Sequence, residues 1–340
     1  MNALKIIEPG KIQLLDIPAP VLGQGEVLLK VERVGLCGSD LSSYLGRNPL
    51  VSYPRIPGHE IAGTVLKLGV GVPSHIKEGI QTTLMPYTSC GSCPACRKGR
   101  FNTCQFNKTL GVQRDGGLCE LISVPWEKLV FSSGLSLDEL ALVEPLTIGF
   151  HAIDRADVGD GDTILVLGCG MIGLGAVARA ATRGATVIAA DIDDGKLLTA
   201  RVMGAAQTIN STKQSLSEEV SRLTDARGAD VVVEAVGNPA TYRASIEAAS
   251  FAGKTVCIGY AKEDVPIQTK LIVQKELNTM GSRNATPLDF DAVMKFIKSR
   301  RPPVERLVSI RVGLSSSGDA FAQWAQNPAS IIKVMIDLQK

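Results

Sequence analysis

The chain has 340 residues, of which 45% are hydrophobic and 21% are charged, a composition that is typical of globular proteins and a length that favours two domains. Its 36 basic and 34 acidic residues leave a formal net charge of +2, which gives no electrostatic reason to expect nucleic acid or a membrane as a partner. The first residues lack the apolar core of a signal peptide and no apolar run is long enough to span a bilayer, so we expect a cytoplasmic protein.

The first part of the chain, residues 1–150, predicts a mainly β domain. Two of its segments, GEVLLKVERVG and IAGTVLKLGVGV, are rich in valine and leucine and are bounded by glycine, as strands usually are. Proline and glycine interrupt this part of the chain repeatedly, which is typical of the turns between strands.

Four of the eight cysteines lie close together with the spacing C-x2-C-x2-C-x7-C. Disulfides are not expected in a reducing compartment. Four thiolates surround Zn²⁺ tetrahedrally and leave no open position, which is typical of a structural site. An iron–sulfur cluster is the chemical alternative, whereas an isolated redox pair would leave two cysteines unexplained. We therefore predict a structural zinc lobe at about residues 88–106. Its ligands are Cys90, Cys93, Cys96 and Cys104.

A second group of possible ligands is dispersed, with Cys37 in GLCGSD, His59 and Glu60 in GHE, and Glu144 in VEPLTIG. A mixed set of thiolate, imidazole and carboxylate can leave a coordination position open for water or substrate. Each residue also has a structural interpretation, as a small buried thiol, a core histidine, a surface acid or a charge at a helix N-terminus. Flanking glycines and prolines place these groups on turns, which favours a metal site.

The middle of the chain, residues 151–283, alternates short apolar strands with helical segments, which predicts a doubly wound parallel sheet. Residues 284–340 are expected to return to the first domain. The predicted strands of the sheet are residues 163–168, 185–191, 229–237, 254–260 and 277–283.

The first of these strands ends in LVLGCGMIGLG, which contains the pattern G-x-G-x-x-G at a junction between strand and helix. Such a turn lets the backbone and the helix N-terminus approach a pyrophosphate, although any α/β sheet can contain a glycine-rich turn. Asp191, at the end of the second strand, is suited to bind a ribose diol and would repel a 2′-phosphate, which favours NAD over NADP. The residues predicted to bind the cofactor here are Gly168, Gly170, Met171, Ile172, Gly173 and Asp191.

Residues 58–72, GHEIAGTVLKLGVGV, follow the signature G-H-E-x-x-G-x5-G-x2-V. With this signature, the cysteine spacing and the glycine pattern, nearly the whole chain resembles the zinc-dependent medium-chain dehydrogenases, especially the polyol (sorbitol) and threonine dehydrogenase branch. The resemblance implies an α/β protein with a GroES-like, mainly β catalytic domain and a Rossmann NAD-binding domain. It also suggests a homodimer or homotetramer assembled through the nucleotide domain.

The resemblance implies two zinc ions per chain, the second of them catalytic. It assigns the catalytic zinc to Cys37, His59 and Glu60, with Glu144 as a fourth ligand or as the group that holds the zinc-bound water. Asp40 would orient the ring of His59 from behind.

Proton removal is the point at which the sequence departs from many relatives. The resemblance implies that Ser39 contacts the substrate hydroxyl and begins the removal of its proton. Many relatives have a histidine two residues after the aspartate, where this chain has Ser42. The route by which the proton leaves therefore stays open.

The implied reaction is the NAD-dependent oxidation of a secondary alcohol of a polyol or sugar acid to the ketone, through a zinc alkoxide and hydride transfer to the nicotinamide. The segment GSRNAT, residues 281–286, is similar to that of L-galactonate and L-gulonate 5-dehydrogenases, so Ser282, Arg283 and Asn284 are expected to contact the cofactor or substrate unless they form only a polar turn. Arginines also suit a substrate carboxylate. Those in suitable segments are Arg47, Arg55, Arg114 and Arg283.

Two other functions fit the same residues. One is an L-threonine or simple alcohol dehydrogenase of the same family. The other is a non-catalytic protein that binds NAD and zinc for structural or regulatory purposes, in which replacement of Cys37 would leave the function intact.

Overall fold

The chain up to Glu144 folds mainly into strands, because its apolar segments are short and are separated by glycine and proline. The computed structural model describes residues 1–300 and 302–340. The strands in this part are β1 (Asn2–Glu8), β2 (Lys11–Asp16), β3 (Glu26–Leu36), β4 (Glu60–Leu68), β5 (Gln81–Leu84), β6 (Leu121–Pro125) and β7 (Leu129–Phe131). The helices are α1 (Gly38–Tyr44), α2 (Pro94–Arg97) and α3 (Leu137–Ala141).

Strands and helices then alternate, as the sequence predicts, after helix α4 (Val143–Arg155). The strands are β8 (Thr163–Leu167), β9 (Thr186–Asp191), β10 (Gln207–Asn210), β11 (Ala229–Glu234), β12 (Ala249–Cys257) and β13 (Asn278–Gly281). The helices are α5 (Met171–Thr182), α6 (Asp194–Met203), α7 (Leu216–Leu223), α8 (Pro239–Ala248) and α9 (Thr269–Gln274). Strand β12 begins earlier than the predicted residue 254, because α8 passes into it without a loop.

The last part of the chain returns to the first, so the contacts divide the protein into a unit of Met1–Glu144 with Thr286–Lys340 and a unit of Pro145–Ala285. The functional domain boundaries at 150/151 and 283/284 stay predictions. None of the described helices has the length and apolar character that crossing a bilayer requires. The elements of the returning segment are α10 (Pro287–Arg300), α11 (Val304–Leu307), β14 (Ile310–Gly313), α12 (Ser317–Gln326) and β15 (Val334–Asp337).

The second unit contains a six-stranded parallel sheet in the order β10-β9-β8-β11-β12-β13. Counted from β8, this is the order 3-2-1-4-5-6 of dinucleotide-binding folds, and it confirms the predicted parallel sheet. The order reverses between β8 and β11. Ligands of such sheets bind at the carboxyl ends of the strands beside this reversal, which is where β8 runs into the glycine-rich turn.

The first unit is built around β3, which pairs with β4 and β15 on its two sides, in a seven-stranded sheet, while β6 also pairs with β3. The register sets Gly35 opposite Glu60 and Leu36 opposite Val334. The end of β3 therefore lies beside the beginnings of both neighbouring strands. Side chains at these three strand ends must come close together.

A network of ion pairs ties this sheet to α3 and to the returning strands. Asp138 of α3 accepts hydrogen bonds from Arg33 at 2.8 Å and from Arg311 at 2.6 and 2.9 Å, and Arg33 also binds Asp337 at 2.6 Å. Burial raises the pKa of the Asp138 carboxyl, but hydrogen bonds and charges of Arg311 and Arg33 outweigh burial and hold this pKa below its usual value. The network stabilises the folded state when the carboxylate is ionised.

We expect Asp138→Asn to lower the free energy of unfolding at pH 7 by about 1–3 kcal/mol, because two arginines lose a partly buried anion. Since the pKa of Asp138 is lower in the folded than in the unfolded chain, its contribution is present above about pH 4 and is lost as the pH falls through the folded-state pKa. Urea unfolding from pH 7 to pH 3 measures this. The exposed Asp225→Asn is the control. A variant as stable as wild type at pH 7, or a difference independent of pH, would contradict the prediction.

Candidate functional site

Three possible metal ligands meet where β3 ends and β4 begins. Cys37 follows β3 directly, His59 immediately precedes β4, and Glu60 is the first residue of β4. Their ligand atoms all lie within 4.8 Å of one another, and His59 and Glu60 are buried. The pairing of Gly35 with Glu60 explains this proximity. The structure thus brings together three of the residues that the sequence analysis assigns to a metal.

Asp40 lies behind these ligands and is completely buried. Its carboxylate accepts hydrogen bonds from the backbone N–H groups of Cys37 at 2.8 Å and Gly58 at 3.0 Å, and its Oδ2 lies 3.8 Å from Nδ1 of His59. One side chain therefore fixes the two turns that carry the thiol and the imidazole. Burial lowers the pKa of His59, but the negative charges of Asp40, Cys37 and Glu144 outweigh burial and raise it well above its usual value.

Glu60 has a partner that the sequence analysis missed, the buried Lys333 just before β15. The Nζ of Lys333 lies 2.5 and 2.6 Å from the two carboxylate oxygens of Glu60 and 3.2 Å from the carbonyl oxygen of Leu36. The antiparallel register of β15 with β3 places this lysine at the site. A signal was present in the sequence, because a lone lysine interrupts the apolar strand segment IIKVMIDL. A metal ion that binds Glu60 must therefore compete with this ammonium group for the carboxylate oxygens.

Glu144, in the first turn of α4, is the fourth predicted ligand and lies outside the three-residue cluster. It is buried, and it accepts a hydrogen bond from the hydroxyl of Tyr87, which the sequence analysis also missed. Burial raises the pKa of Glu144 to about 7, and the negative charge of Glu60 raises it as well, against the opposing charge of His59. Glu144 therefore lies within electrostatic reach of the cluster, and its role as a ligand stays a prediction.

Ser39 stands in the first turn of α1, two residues after Cys37, and is half-buried. Its carbonyl oxygen accepts a hydrogen bond from the hydroxyl of Ser43 at 2.8 Å. Its own hydroxyl makes no hydrogen bond to any of the described residues, so the contact predicted for it is one to substrate. Ser42, also half-buried, follows on the same helix.

The other four-cysteine cluster lies in the predicted lobe, where all four sulfur atoms are within 4.8 Å of one another and none forms a disulfide. Backbone N–H groups point at the sulfurs, with Cys93 N 3.3 Å from Sγ of Cys90 and Phe106 N 3.3 Å from Sγ of Cys104. Backbone N–H groups of Ser92 and Cys93 lower the pKa of Cys90 to about 6. Four convergent sulfurs with donors aimed at them fit a tetrahedral zinc site.

The glycine-rich turn of the second unit has the geometry that its sequence predicts. Gly168 has φ +93°, and a side chain on Gly173 would lie 1.8 Å from the carbonyl oxygen of Gly168. Gly170 caps α5, and the space beside its Cα is open. The turn therefore presents the N-terminus of α5, at Met171 and Ile172, to an approaching phosphate.

Asp191 at the end of β9 is anchored to this turn. Its Oδ2 accepts a hydrogen bond from Cys169 N at 2.6 Å, and its Oδ1 accepts from Ile192 N at 2.7 Å and Asp193 N at 3.0 Å. The carboxylate is thus held beside the turn that would receive the pyrophosphate. This position fits a ribose diol next to a phosphate.

The segment after β13 lies at the same carboxyl edge of the sheet. Ser282 is buried, and its backbone N–H donates to the carbonyl oxygen of Cys257 at 2.9 Å. Its hydroxyl has no hydrogen-bond partner within residues 1–300 and 302–340. Arg283 is exposed, and Asn284 has φ +53°. These placements are compatible with the predicted contacts to cofactor, which stay predictions.

Comparison with known proteins identifies both units. A family model described as an alcohol dehydrogenase GroES-like domain matches residues 23–133, and one described as a zinc-binding dehydrogenase matches residues 172–299. The matches fall on the part of the chain that carries Cys37, His59 and the cysteine lobe and on the part that carries Asp191.

Individual relatives cover nearly the whole chain. Sorbitol dehydrogenase of Bacillus subtilis (strain 168) is 34% identical over 99% of this chain and 97% of its own. L-galactonate-5-dehydrogenase of Escherichia coli (strain K12) is 31% identical over 99% and 98%. A crystal structure of the alcohol dehydrogenase rspB from E. coli CFT073, complexed with NADH, superposes with a TM-score of 0.91 at 28% identity over 99% of both chains. The chain therefore belongs to the zinc-dependent medium-chain dehydrogenases, with a GroES-like domain, a Rossmann-type sheet, and zinc and NAD as cofactors.

Proposed function

We propose that the protein oxidises a secondary hydroxyl of a polyol or sugar acid to a ketone, while NAD⁺ becomes NADH and one proton is released. The observation that carries the proposal is the cluster of Cys37, His59 and Glu60, whose ligand atoms lie within 4.8 Å of one another. Unlike a closed four-cysteine shell, this mixed donor set leaves a coordination position for a substrate oxygen.

In this proposal the residues around the metal site have different roles. A zinc ion held by these residues would supply Lewis acidity to the alcohol oxygen, and bound NAD⁺ would accept the hydride. Cys37 and His59 hold the metal, and Asp40 fixes both through the backbone hydrogen bonds at 2.8 and 3.0 Å and through its position behind the imidazole. Ser39 would accept the proton of the substrate hydroxyl while its own hydroxyl proton moves on to Ser42 or solvent.

The two buried glutamates have separate roles in this proposal. Lys333 holds both oxygens of Glu60 at 2.5 and 2.6 Å, which supports Glu60 as a ligand that exchanges with the ammonium group. Tyr87 donates to Glu144, which supports Glu144 as the group that orients the fourth ligand position. Each carboxylate is thus stabilised by a donor of its own, as buried acids require.

The proposed substrate class is supported by the relatives whose names state their substrates. Sorbitol and L-galactonate dehydrogenases are similar over nearly the whole chain, which supports a substrate with several hydroxyls. The identity of that substrate, the assembly into a homodimer or homotetramer, and the cytoplasmic location stay predictions.

We expect kcat/KM for NAD reduction with polyols or aldonates to exceed that with ethanol by about 100-fold or more. A site built to bind several hydroxyls rejects an alcohol that leaves the polar groups of the site unpaired. Initial rates with galactitol, sorbitol, L-galactonate, L-gulonate, threonine and ethanol measure this. Preference for ethanol or threonine would contradict the proposed substrate class.

Cys37→Ala is expected to lower the zinc content from two ions per chain to one and to reduce turnover by about 10³-fold or more, since Lewis-acid stabilisation amounts to several kcal/mol. The circular dichroism spectrum should stay unchanged. Elemental analysis of purified protein counts the metal.

The matched control is Cys119→Ala, which removes a buried thiol outside both clusters and should retain two zinc ions. Cys96→Ala should also lose one zinc, together with the folded lobe. A Cys37→Ala protein with full zinc content or full turnover would exclude the proposed metal centre and favour a non-catalytic role.

Asp191→Asn is expected to raise the ratio of kcat/KM with NADP⁺ to that with NAD⁺ by about 10–100-fold, because it removes a charge-assisted hydrogen bond to ribose and a repulsion of the 2′-phosphate. Kinetics with both coenzymes measure the ratio. Asp194→Asn, whose exposed carboxylate pairs with Lys213 at 2.5 Å, is the control for loss of charge. If the ratio were unchanged in the Asp191 variant, Asp191 would not determine the preference for NAD⁺ over NADP⁺.

A further inference from the structure

The structure distinguishes among the four arginines that the sequence analysis connects with a substrate carboxylate. Arg55 is paired with Asp115 at 3.1 Å, and Arg47 and Arg283 are exposed. Arg114 is half-buried, and its Nε is buried without a hydrogen-bond partner. Within residues 1–300 and 302–340, its guanidinium forms no ion pair. Arg114 is therefore the arginine of this group that is partly desolvated and lacks an acid.

A second cation, Lys128, is half-buried and is influenced by the positive charge of Arg114. Met85 N donates to the carbonyl oxygen of Lys128 at 2.8 Å, and Leu110 N donates to the carbonyl oxygen of Pro86 at 3.1 Å. Leu110 in turn forms a β-bridge with Arg114. The segments that carry the two cations are therefore connected through Met85, Pro86 and Leu110.

The charges around this pair are unbalanced. Burial lowers the pKa of the Lys128 ammonium, and the positive charge of Arg114 lowers it further, whereas Glu127 raises it. Glu127 is exposed, and Lys128 forms no ion pair with any residue that the structure describes. Two partly desolvated cations without an acid cost free energy, which a bound anion recovers.

The segment with Arg114, residues 109–117, is also hydrogen-bonded to residues that precede two members of the candidate metal site, His59 and Tyr87. Gly117 N donates to the carbonyl oxygen of Gly58, which precedes the candidate ligand histidine, at 2.8 Å. On its other side the segment bonds Pro86, which precedes Tyr87, and Tyr87 donates to the candidate ligand glutamate. The two cations thus belong to the same unit as the metal centre, and their segments are linked by backbone hydrogen bonds to neighbours of its residues.

We infer that Arg114 and Lys128 bind an anionic group, a carboxylate or a phosphate, at one end of the polyol that the metal centre oxidises. The inference rests on the proposed function and narrows it to aldonates or polyol phosphates. A guanidinium binds either oxyanion in a bidentate manner, and an ammonium adds a point charge beside it. L-galactonate, on which a similar enzyme acts, has such an end.

The test compares kcat/KM for L-galactonate, galactitol 1-phosphate and neutral galactitol in wild type, Arg114→Gln and Lys128→Met, which keep most of the apolar stem of each side chain. We expect the ratio of the preferred anionic substrate to galactitol to fall about 10–100-fold in Arg114→Gln, because one charge-assisted interaction is lost. A smaller fall is expected in Lys128→Met and a partial recovery in Arg114→Lys. The anion with the higher wild-type kcat/KM identifies the source as carboxylate or phosphate.

Arg243→Gln, at an exposed position of α8, is the matched control and should leave the ratio unchanged. A ratio that stays within about twofold of wild type in Arg114→Gln overturns the inference, as does an equal loss with all three substrates. In another outcome, calorimetry shows that inorganic phosphate binds through Arg114 while the ratio of kcat/KM for the anionic substrate to that for galactitol is unchanged. This result would assign the two cations to a free anion, and it too would overturn the inference.

Failure of the proposed function gives a different result, namely that wild type oxidises none of the three compounds. Calorimetry with L-galactonate and galactitol 1-phosphate then decides. Binding of either compound that weakens about tenfold or more in Arg114→Gln supports the anion site, and equal binding or none overturns it.

Discussion

The metal centre depends on the hydrogen bonds that the buried carboxylate of Asp40 accepts from two backbone N–H groups. A fully buried acid must find donors, and this one finds them in the backbone N–H groups of two separate turns, at Cys37 and Gly58. The same two turns carry the thiol and the imidazole that the mixed donor set requires. The satisfaction of one buried charge therefore determines the distance between two ligands, before any metal is bound.

Buried charge also explains how the rest of this centre is organised. Asp40, Glu60 and Glu144 are all buried, and each is stabilised by a different kind of donor: backbone N–H groups, the ammonium group of Lys333 and the phenol of Tyr87. Because their hydrogen-bond donors differ, the three neighbouring acids can have different chemical roles. Glu144, which accepts a hydrogen bond from a phenol, has a pKa that burial raises to about 7.

The sequence predicted features that depend on local spacing and left out those that depend on long-range contacts. The cysteine lobe, the glycine-rich turn and the parallel strands each lie within a short segment, so their spacing alone predicts them. Lys333 and Glu60 are 273 positions apart, and only the pairing of β15 with β3 brings them together. The dispersed set of Cys37 and His59 was proposed from its ligand types and its flanking glycines and prolines, and only the family resemblance assigned it to a catalytic zinc, because composition and periodicity do not identify pairs across a sheet.

The position of Lys333 has a consequence for biosynthesis. The ammonium group that neutralises Glu60 is carried by a segment near the C-terminus, while its carboxylate partner belongs to a strand that leaves the ribosome much earlier. During translation, Glu60 therefore lacks this counter-ion until Lys333, 273 positions later, has also emerged. The ion pair of the centre therefore forms only when β15 joins the sheet beside β3.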